Sequence, residues 1–104
     1  MKSISIPPAA LEDEASVEMA RVWVAQRGLH CVLNVGTYRE SNIREATAWG
    51  VILADMARHV SHALRDSGLE TESYAALMEI RAVMNRELDA PTSAAAGEFK
   101  TTKQ

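Results

Sequence analysis

Four side chains that are able to bind a metal ion recur along one stretch of the chain. Asp55, His59, His62 and Asp66 follow one another at spacings of four, three and four residues. In an α-helix these spacings place the four side chains within about 60° of one another. Two histidines at i, i+3 are able to share a divalent ion, and carboxylates complete or orient such a site. The spacing therefore gives a metal-site hypothesis on Asp55, His59 and His62.

A structural role is the commoner use of such a stripe. It borders the apolar residues Met56 and Ala63, where a helix often carries a histidine that is bonded to a carboxylate four residues away. No HExxH motif is present to indicate a metal-dependent enzyme. The pattern thus favours paired polar residues at the edge of the core over metal binding or catalysis.

The other reactive side chains indicate packing. Cys31 is the only cysteine, which excludes an intrachain disulfide and any zinc site built from several thiolates. It falls on an apolar strand face, where free cysteine usually acts as a small hydrophobe. The chain has no glycine-rich phosphate loop, no GxSxG elbow and no CxxC pair. An enzyme is therefore not favoured, and no cofactor is expected.

The metal-site stripe lies on a long amphipathic helix that is predicted over residues 42–68. Asn42 is its expected N-cap, with Glu45 three residues later completing a capping-box pattern, and Gly68 is its expected stop. At about 100° per residue one face forms a core stripe, which consists of Trp49, Ile52, Leu53, Met56, Val60, Ala63 and Leu64. Gly50 lies beside this stripe among small residues. Because glycine inside a helix costs roughly 1 kcal/mol relative to alanine, Gly50 predicts the close approach of another backbone or of a bulky ring.

A second helix is predicted from Thr71 or Ser73 to Leu88, and the short connection indicates an antiparallel helix pair. Two helices joined by a short turn also suggest a helix-turn-helix. The second helix opposes this interpretation, because Arg81 and Arg86 are offset by acids and its first turn would present acid to phosphate. Nucleic-acid binding is therefore not expected.

Residues 17–35 predict a β-hairpin, since they are rich in β-branched and aromatic side chains. A two-residue loop at Arg27 and Gly28 makes one sheet face almost wholly apolar and places Trp23 opposite Val32. The second face is apolar as well, at Met19, Trp23 and Val32, and needs a cover. The candidates are an extended arm at residues 4–6 and the hairpin of a second copy. We favour the second copy, with the arm as a contributor and with Trp23, Met19, Val32 and Gly50 in the interface.

Composition limits the class of protein. The chain has 104 residues and a net charge of −3, which indicates a single domain without a basic nucleic-acid footprint. It divides into an N-terminal arm over residues 1–17, one domain over 18–91 and a disordered tail over 92–104. No apolar run reaches the length of a secretory signal or a membrane span. A cytoplasmic protein with no membrane partner is expected.

The segments RVWVAQRGLHCVLNVG and AWGVILADMARHV resemble a small bacterial family that is known only as a domain of unknown function. The resemblance covers residues 18–91. Its recognisable pieces are the tryptophan strand, the glycine turn and a helix pattern that ends before a proline: Arg21, Trp23, Gly28, Leu29, His30, Gly50, Leu53, Ala54, Asp55, His59, Glu87 and Pro91. The pattern includes Asp55 and His59 but does not extend to His62 or Asp66. The resemblance implies a fold and brings no activity.

Together these patterns predict an α+β domain in which a β-hairpin, with a short N-terminal edge strand as an option, packs against an antiparallel pair of helices in ββαα order. The favoured function is a non-enzymatic interaction module that forms a homodimer through its hairpin, with an unknown protein partner as a further option. The alternative is a protein that binds a metal or a small molecule through Asp55 and His59.

Overall fold

The computed structural model describes residues 1–92 and, for the backbone, residues 95–101. The predicted α+β class and the ββαα order of hairpin and helices are confirmed. One short helix precedes them and one strand follows them. The elements in chain order are α1 (Pro8–Glu12), β1 (Ala20–Ala25), β2 (Gly28–Val35), α2 (Glu45–Asp66), α3 (Ser73–Asp89) and β3 (Ala95–Thr101).

The hairpin turn lies one residue earlier than predicted. Its two central residues are Gln26 and Arg27, with φ of 51° and 63°, and Ala25 pairs with Gly28. A type I′ turn needs positive φ at both central positions, so Gly28 is a strand residue here and does not supply the turn. The loop length of two was predicted correctly, and the loop position at Arg27 and Gly28 was wrong.

The shifted turn moves every cross-strand pair by two residues. Trp23 therefore lies opposite His30 rather than Val32. Because the side-chain period of a strand is two, an even shift keeps each side chain on its predicted face. The ring Nε2 of His30 lies 3.0 Å from the carbonyl oxygen of Ala25 and fastens the turn.

A third strand stands where the sequence predicts a disordered tail. β3 pairs in parallel with β2, with Leu29 opposite Ala95 and Val35 opposite Thr101. The strand order is β1-β2-β3, so β2 is central and β1 is an edge strand. A two-stranded sheet is marginal on its own, and a third strand removes one of its open edges. Residues 93–94 and 102–104 of the predicted tail lie outside the described residues.

The N-terminal arm has no strand over residues 4–6. Pro7 and Pro8 end any regular pairing there, and Pro8 begins α1, since proline is well suited to the first turn of a helix. After α1 the chain turns back on itself. The Ser16 hydroxyl donates to the carbonyl oxygen of Ala10 at 2.9 Å, and Asp13 Oδ1 accepts from the backbone N–H of Ala15 at 2.9 Å.

α2 begins at Glu45, and Arg44 is its N-cap without a side-chain hydrogen bond. The predicted N-cap at Asn42 was therefore wrong. The carboxylate of Glu45 accepts from the backbone N–H of Tyr38 at 2.6 Å. It holds the loop in front of the helix instead of closing a capping box.

The end of α2 follows the prediction at Gly68, which has φ of 81°. The N–H of Leu69 donates to the carbonyl oxygen of Leu64 at 2.9 Å, and the N–H of Gly68 donates to that of Arg65 at 3.0 Å. These two bonds define a Schellman motif with glycine at its left-handed position. They turn the chain so that α3 packs against α2.

Within the single chain the packing centres on the helix pair. Among the residues described, the buried apolar side chains are Ala48 on α2 and Ala76 on α3, and the polar side chain of Ser61 on α2 is buried as well. The hairpin packs little on the helices. Several residues of the predicted core stripe and of α3 are consequently exposed, namely Leu53, Met56, Val60, Tyr74, Met84 and Leu88. No helix in the described part of the chain is both long and apolar enough to cross a membrane.

Candidate functional site

The metal-site stripe lies on the exposed side of α2. Asp55, His59 and His62 are all exposed, and the carboxylate of Asp55 forms an ion pair with Arg58 one turn later. Within residues 1–92 and 95–101, no group of three or more histidine, cysteine, aspartate or glutamate side chains is placed to hold a metal ion. The structure therefore gives Asp55 a cationic neighbour and does not gather the three predicted ligands around one point.

The residues predicted for the dimer interface fall in two places. Met19 and Trp23 are half-buried on the sheet, and Val32 is exposed. The sulfur of Met19 accepts a long hydrogen bond of 3.6 Å from the Thr37 hydroxyl. Gly50 lies on α2, and a Cβ added there would meet nothing within 4 Å. The close neighbour that this glycine predicts is therefore absent from the described residues of the single chain.

The edge of β1 that faces away from β2 carries backbone groups without a partner strand among the described residues. The N–H of Asn34 donates to the carbonyl oxygen of Met19 at 2.9 Å, which makes these two residues a hydrogen-bonded pair next to the strand. Bonded and non-bonded pairs alternate along an antiparallel ladder. The N–H and C=O groups of Ala20, Val22 and Val24 therefore point away from β2. An open edge of this kind is a template for another strand.

The side chains near that edge are exposed and apolar. Val22, Val24 and Leu29 share one face of the sheet, and they are 49%, 81% and 44% exposed. This face was expected to lie against α2, which does not cover it. Exposed apolar clusters of this size on a small protein are typical of interaction sites.

The N-terminal arm lies beside the same edge without closing it. A cavity of about 640 Å³ separates the two, and it is lined by residues 2–7, Ala10 and Leu11 on the arm side and by residues 20–23 on the sheet side. Ile4 in the arm is 97% exposed. The edge of β1 therefore faces the arm across this cavity, which leaves room for an additional strand.

A second concave surface lies between α2 and α3. This helix groove has a volume of about 420 Å³, and most of its lining is apolar or small: Gly50, Leu53, Ala54, Ala57, Arg58, Leu77, Met78, Arg81, Met84 and Asn85. The buried residues Ser61 and Ala76 lie near the connection of the two helices, and the groove lies further from it. Gly50 and its small neighbours therefore line an open surface.

Glu45 and Trp49 each bury a polar side-chain atom, which the sequence analysis did not predict. They are one helical turn apart, and both the Oε2 atom of Glu45 and the Nε1 atom of Trp49 are buried without a partner among the described residues. The Oε1 atom of Glu45 holds the Tyr38 backbone. The capping-box signal identified Glu45 as important but assigned its carboxylate to the wrong backbone group.

Glu87 connects the end of α3 to the chain that follows. Its carboxylate accepts hydrogen bonds from the backbone N–H and the hydroxyl of Thr92 at 3.0 and 3.1 Å. These bonds, the backbone bond most of all, hold the pKa of Glu87 below its ordinary value because they favour the charged form. The contact positions the chain that leads to β3 and offers no reactive group.

These observations describe a small α+β protein with ββαα order, an open sheet edge and an open helix groove. The chain belongs to the family Domain of unknown function (DUF5076), whose model matches residues 3–92. The family resemblance predicted from the tryptophan strand and the long helix is thereby confirmed. A comparison with curated proteins found no match.

Comparison with solved structures supports the fold. One similar structure comes from the photosynthetic bacterium Rhodopseudomonas palustrus CGA009, and its description gives a pyruvate dehydrogenase assignment provisionally. It matches with a TM-score of 0.64 and 24% sequence identity, over 100% of this chain and 95% of that one. At this identity the likeness shows the shared fold alone.

Proposed function

We propose that this chain is a non-enzymatic interaction module that forms a homodimer through its hairpin. The two copies pair their β1 edges in an antiparallel sense across a two-fold axis. The observation that carries the proposal is the open edge of β1, with Val22 and Val24 exposed beside it. A two-fold interface uses the same patch on both copies, so a single edge strand supplies both halves.

The geometry of β1 suits a pairing centred on Val22. Ala20, Val22 and Val24 have outward backbone groups, and in an antiparallel pair Ala20 of one copy lies opposite the partner's Val24. Joining the copies in this way converts two three-stranded sheets into one sheet of six strands and covers the β1 edge of each copy. The cavity between the arm and β1 is the space through which the partner's strand enters.

The large exposed area of the single chain supports a partner. The chain exposes 8780 Å², whereas a compact monomer of 11.4 kDa exposes about 5,800 Å². The difference of about 3,000 Å² exceeds the roughly 800 Å² that each partner buries in a standard interface. Burial of the Val22, Val24 and Leu29 side chains in a dimer would contribute the hydrophobic stabilisation that a small single chain lacks.

The test compares two substitutions at Val22 by sedimentation equilibrium of the full chain at micromolar concentration. Val22→Pro removes an N–H that faces the free edge, so it should leave the β1–β2 ladder intact and abolish the dimer. Val22→Thr keeps the N–H and the β-branched shape, and it should dimerise like the wild-type chain. Far-UV circular dichroism reports whether each variant folds.

A second variant covers the case in which proline disturbs folding. Val22→Lys keeps the backbone N–H but places like charges opposite each other at the two-fold axis, which destabilises a cross-strand pair. We expect it to be a folded monomer. A monomeric wild-type chain, or a dimer that survives both Val22→Pro and Val22→Lys, would overturn the proposal.

A further inference from the structure

We infer that the helix groove between α2 and α3 binds the N-terminal arm of a second copy, so that the two copies exchange arms. This inference rests on the proposed homodimer and adds a second contact to it. The groove is apolar along its floor, and its occupant is not found among the described residues of the same chain. The N-terminal arm of the same chain lines the cavity beside β1, and that cavity shares no residue with the helix groove.

The positive charges at the groove favour an occupant that carries acidic residues. Its lining includes two arginines, Arg58 and Arg81, and no acid. Arg58 is paired with Asp55, whereas Arg81 has no ion pair within the described part of the chain. A guanidinium beside an apolar surface favours a segment that carries an apolar anchor followed by carboxylates.

The arm has that composition. Leu11 on α1 is 71% exposed, Ile6 just before α1 is also exposed, and Glu12, Asp13 and Glu14 follow. Neither Glu12 nor Glu14 has an ion pair among the described residues. One chain therefore carries exposed apolar side chains followed by acids, and also an apolar groove with an arginine beside it.

The proposed dimer explains why the arm changes partner. When the partner's β1 enters the cavity beside β1, it takes the space next to residues 2–7 and separates the arm from the sheet edge. The released arm then places Leu11 in the groove of the other copy, near Leu77 and Met84, with Glu12 and Glu14 toward Arg81. Two symmetric contacts result, one for each arm.

The test is a charge exchange in the full-length chain. Arg81→Glu in one variant, and Glu12→Arg with Glu14→Arg in another, each place like charges at both contacts of the dimer. We expect either change to raise the dimer Kd about tenfold at low salt. Arg86→Glu is the matched control, because Arg86 is exposed on α3 outside the groove, and it should leave the Kd unchanged.

Mixing the two variants restores both contacts, since each arm then meets a groove of opposite charge. The mixture should form a heterodimer with a Kd close to that of the wild-type homodimer, measured by sedimentation with one variant labelled. Failure of the mixture to recover wild-type affinity would overturn the arm exchange.

Two further outcomes also decide against it. If the arm of the same chain occupies the groove, the charge changes alter the unfolding midpoint equally at all protein concentrations. They then leave the dimer Kd unchanged. If another protein occupies it, neither variant alters self-association. In both cases Val22→Pro still yields a monomer, so the proposed hairpin dimer stands while the arm exchange fails.

Discussion

Glu45 joins the loop after the hairpin to the long helix through a single backbone contact. Its carboxylate accepts the N–H of Tyr38 at 2.6 Å, and it lies at the first residue of α2, where negative charge is favourable to the helix dipole. The second oxygen of the carboxylate is buried without a partner among the described residues, which offsets part of the gain. Hydrogen bonds to charged groups are the stronger ones, so the net effect of Glu45 is stabilising.

We therefore predict that Glu45→Ala lowers the free energy of unfolding by about 1–2 kcal/mol, because it leaves the Tyr38 N–H without its acceptor. Urea denaturation at a fixed protein concentration measures the effect. Glu40→Ala is the control, since Glu40 is an exposed loop residue whose replacement should change stability by less than about 0.5 kcal/mol. Equal effects of the two substitutions would contradict this role of Glu45.

Spacing alone identified a metal-site hypothesis but could not assign partners to its side chains. Asp55 is four residues before His59 and three before Arg58, and both separations bring side chains together on a helix. In the structure Asp55 pairs with Arg58. Arginine is always charged and its planar guanidinium matches a carboxylate, so Asp55 gains a charge-assisted hydrogen bond from Arg58.

The elements show which sequence signals were sufficient. The 3.6-residue period predicted both helices, and a glycine at the left-handed position predicted the end of α2. The hairpin was predicted in type and in face but not in register, because the turn uses Gln26 and Arg27 at positive φ in place of the adjacent Gly28. β3 gave no signal, since AAGEFKT has little β-branched or alternating apolar character and pairs through its backbone.

We predict that replacement by alanine has opposite effects on the free energy of unfolding at Gly68 and at Gly50. An added Cβ meets no atom of the described residues within 4 Å at either position, so within the single chain backbone preference decides the effect. Gly68 has φ of 81°, where alanine is strained, and Gly68→Ala should lower the free energy of unfolding by about 1 kcal/mol. Gly50 lies inside a helix, and Gly50→Ala should raise it by about 0.5–1 kcal/mol.

Urea unfolding of both variants at one protein concentration gives the comparison. Destabilisation by Gly50→Ala would show that a close neighbour occupies the groove tightly enough to exclude a methyl group. Stabilisation by Gly68→Ala would mean that the Schellman motif does not end α2 in solution.

At the scale of the molecule, the predicted core of the single chain divides between two open surfaces. The apolar periodicity of α2 and of the hairpin indicated one core between them, but much of each stripe is exposed, and the two buried apolar side chains of the described residues are alanines. The radius of gyration is 15.5 Å, against about 13 Å for a compact domain of this length. Sequence period reveals which residues need burial, and it cannot tell whether the cover comes from the same chain or from another.

If a second copy stabilises the folded state, stability depends on protein concentration. For a dimer that unfolds to two chains, each tenfold increase in concentration stabilises the folded state by about 1.4 kcal/mol. With the entropy of unfolding typical of globular proteins, the melting temperature should rise by about 3 °C for each tenfold increase. Differential scanning calorimetry over about a hundredfold range of protein concentration, from about 5 to about 500 μM, measures how the melting temperature changes with concentration. The Val22→Pro variant should melt at a lower temperature with no dependence on concentration, and a flat wild-type profile would mean that the open surfaces are tolerated by a monomer.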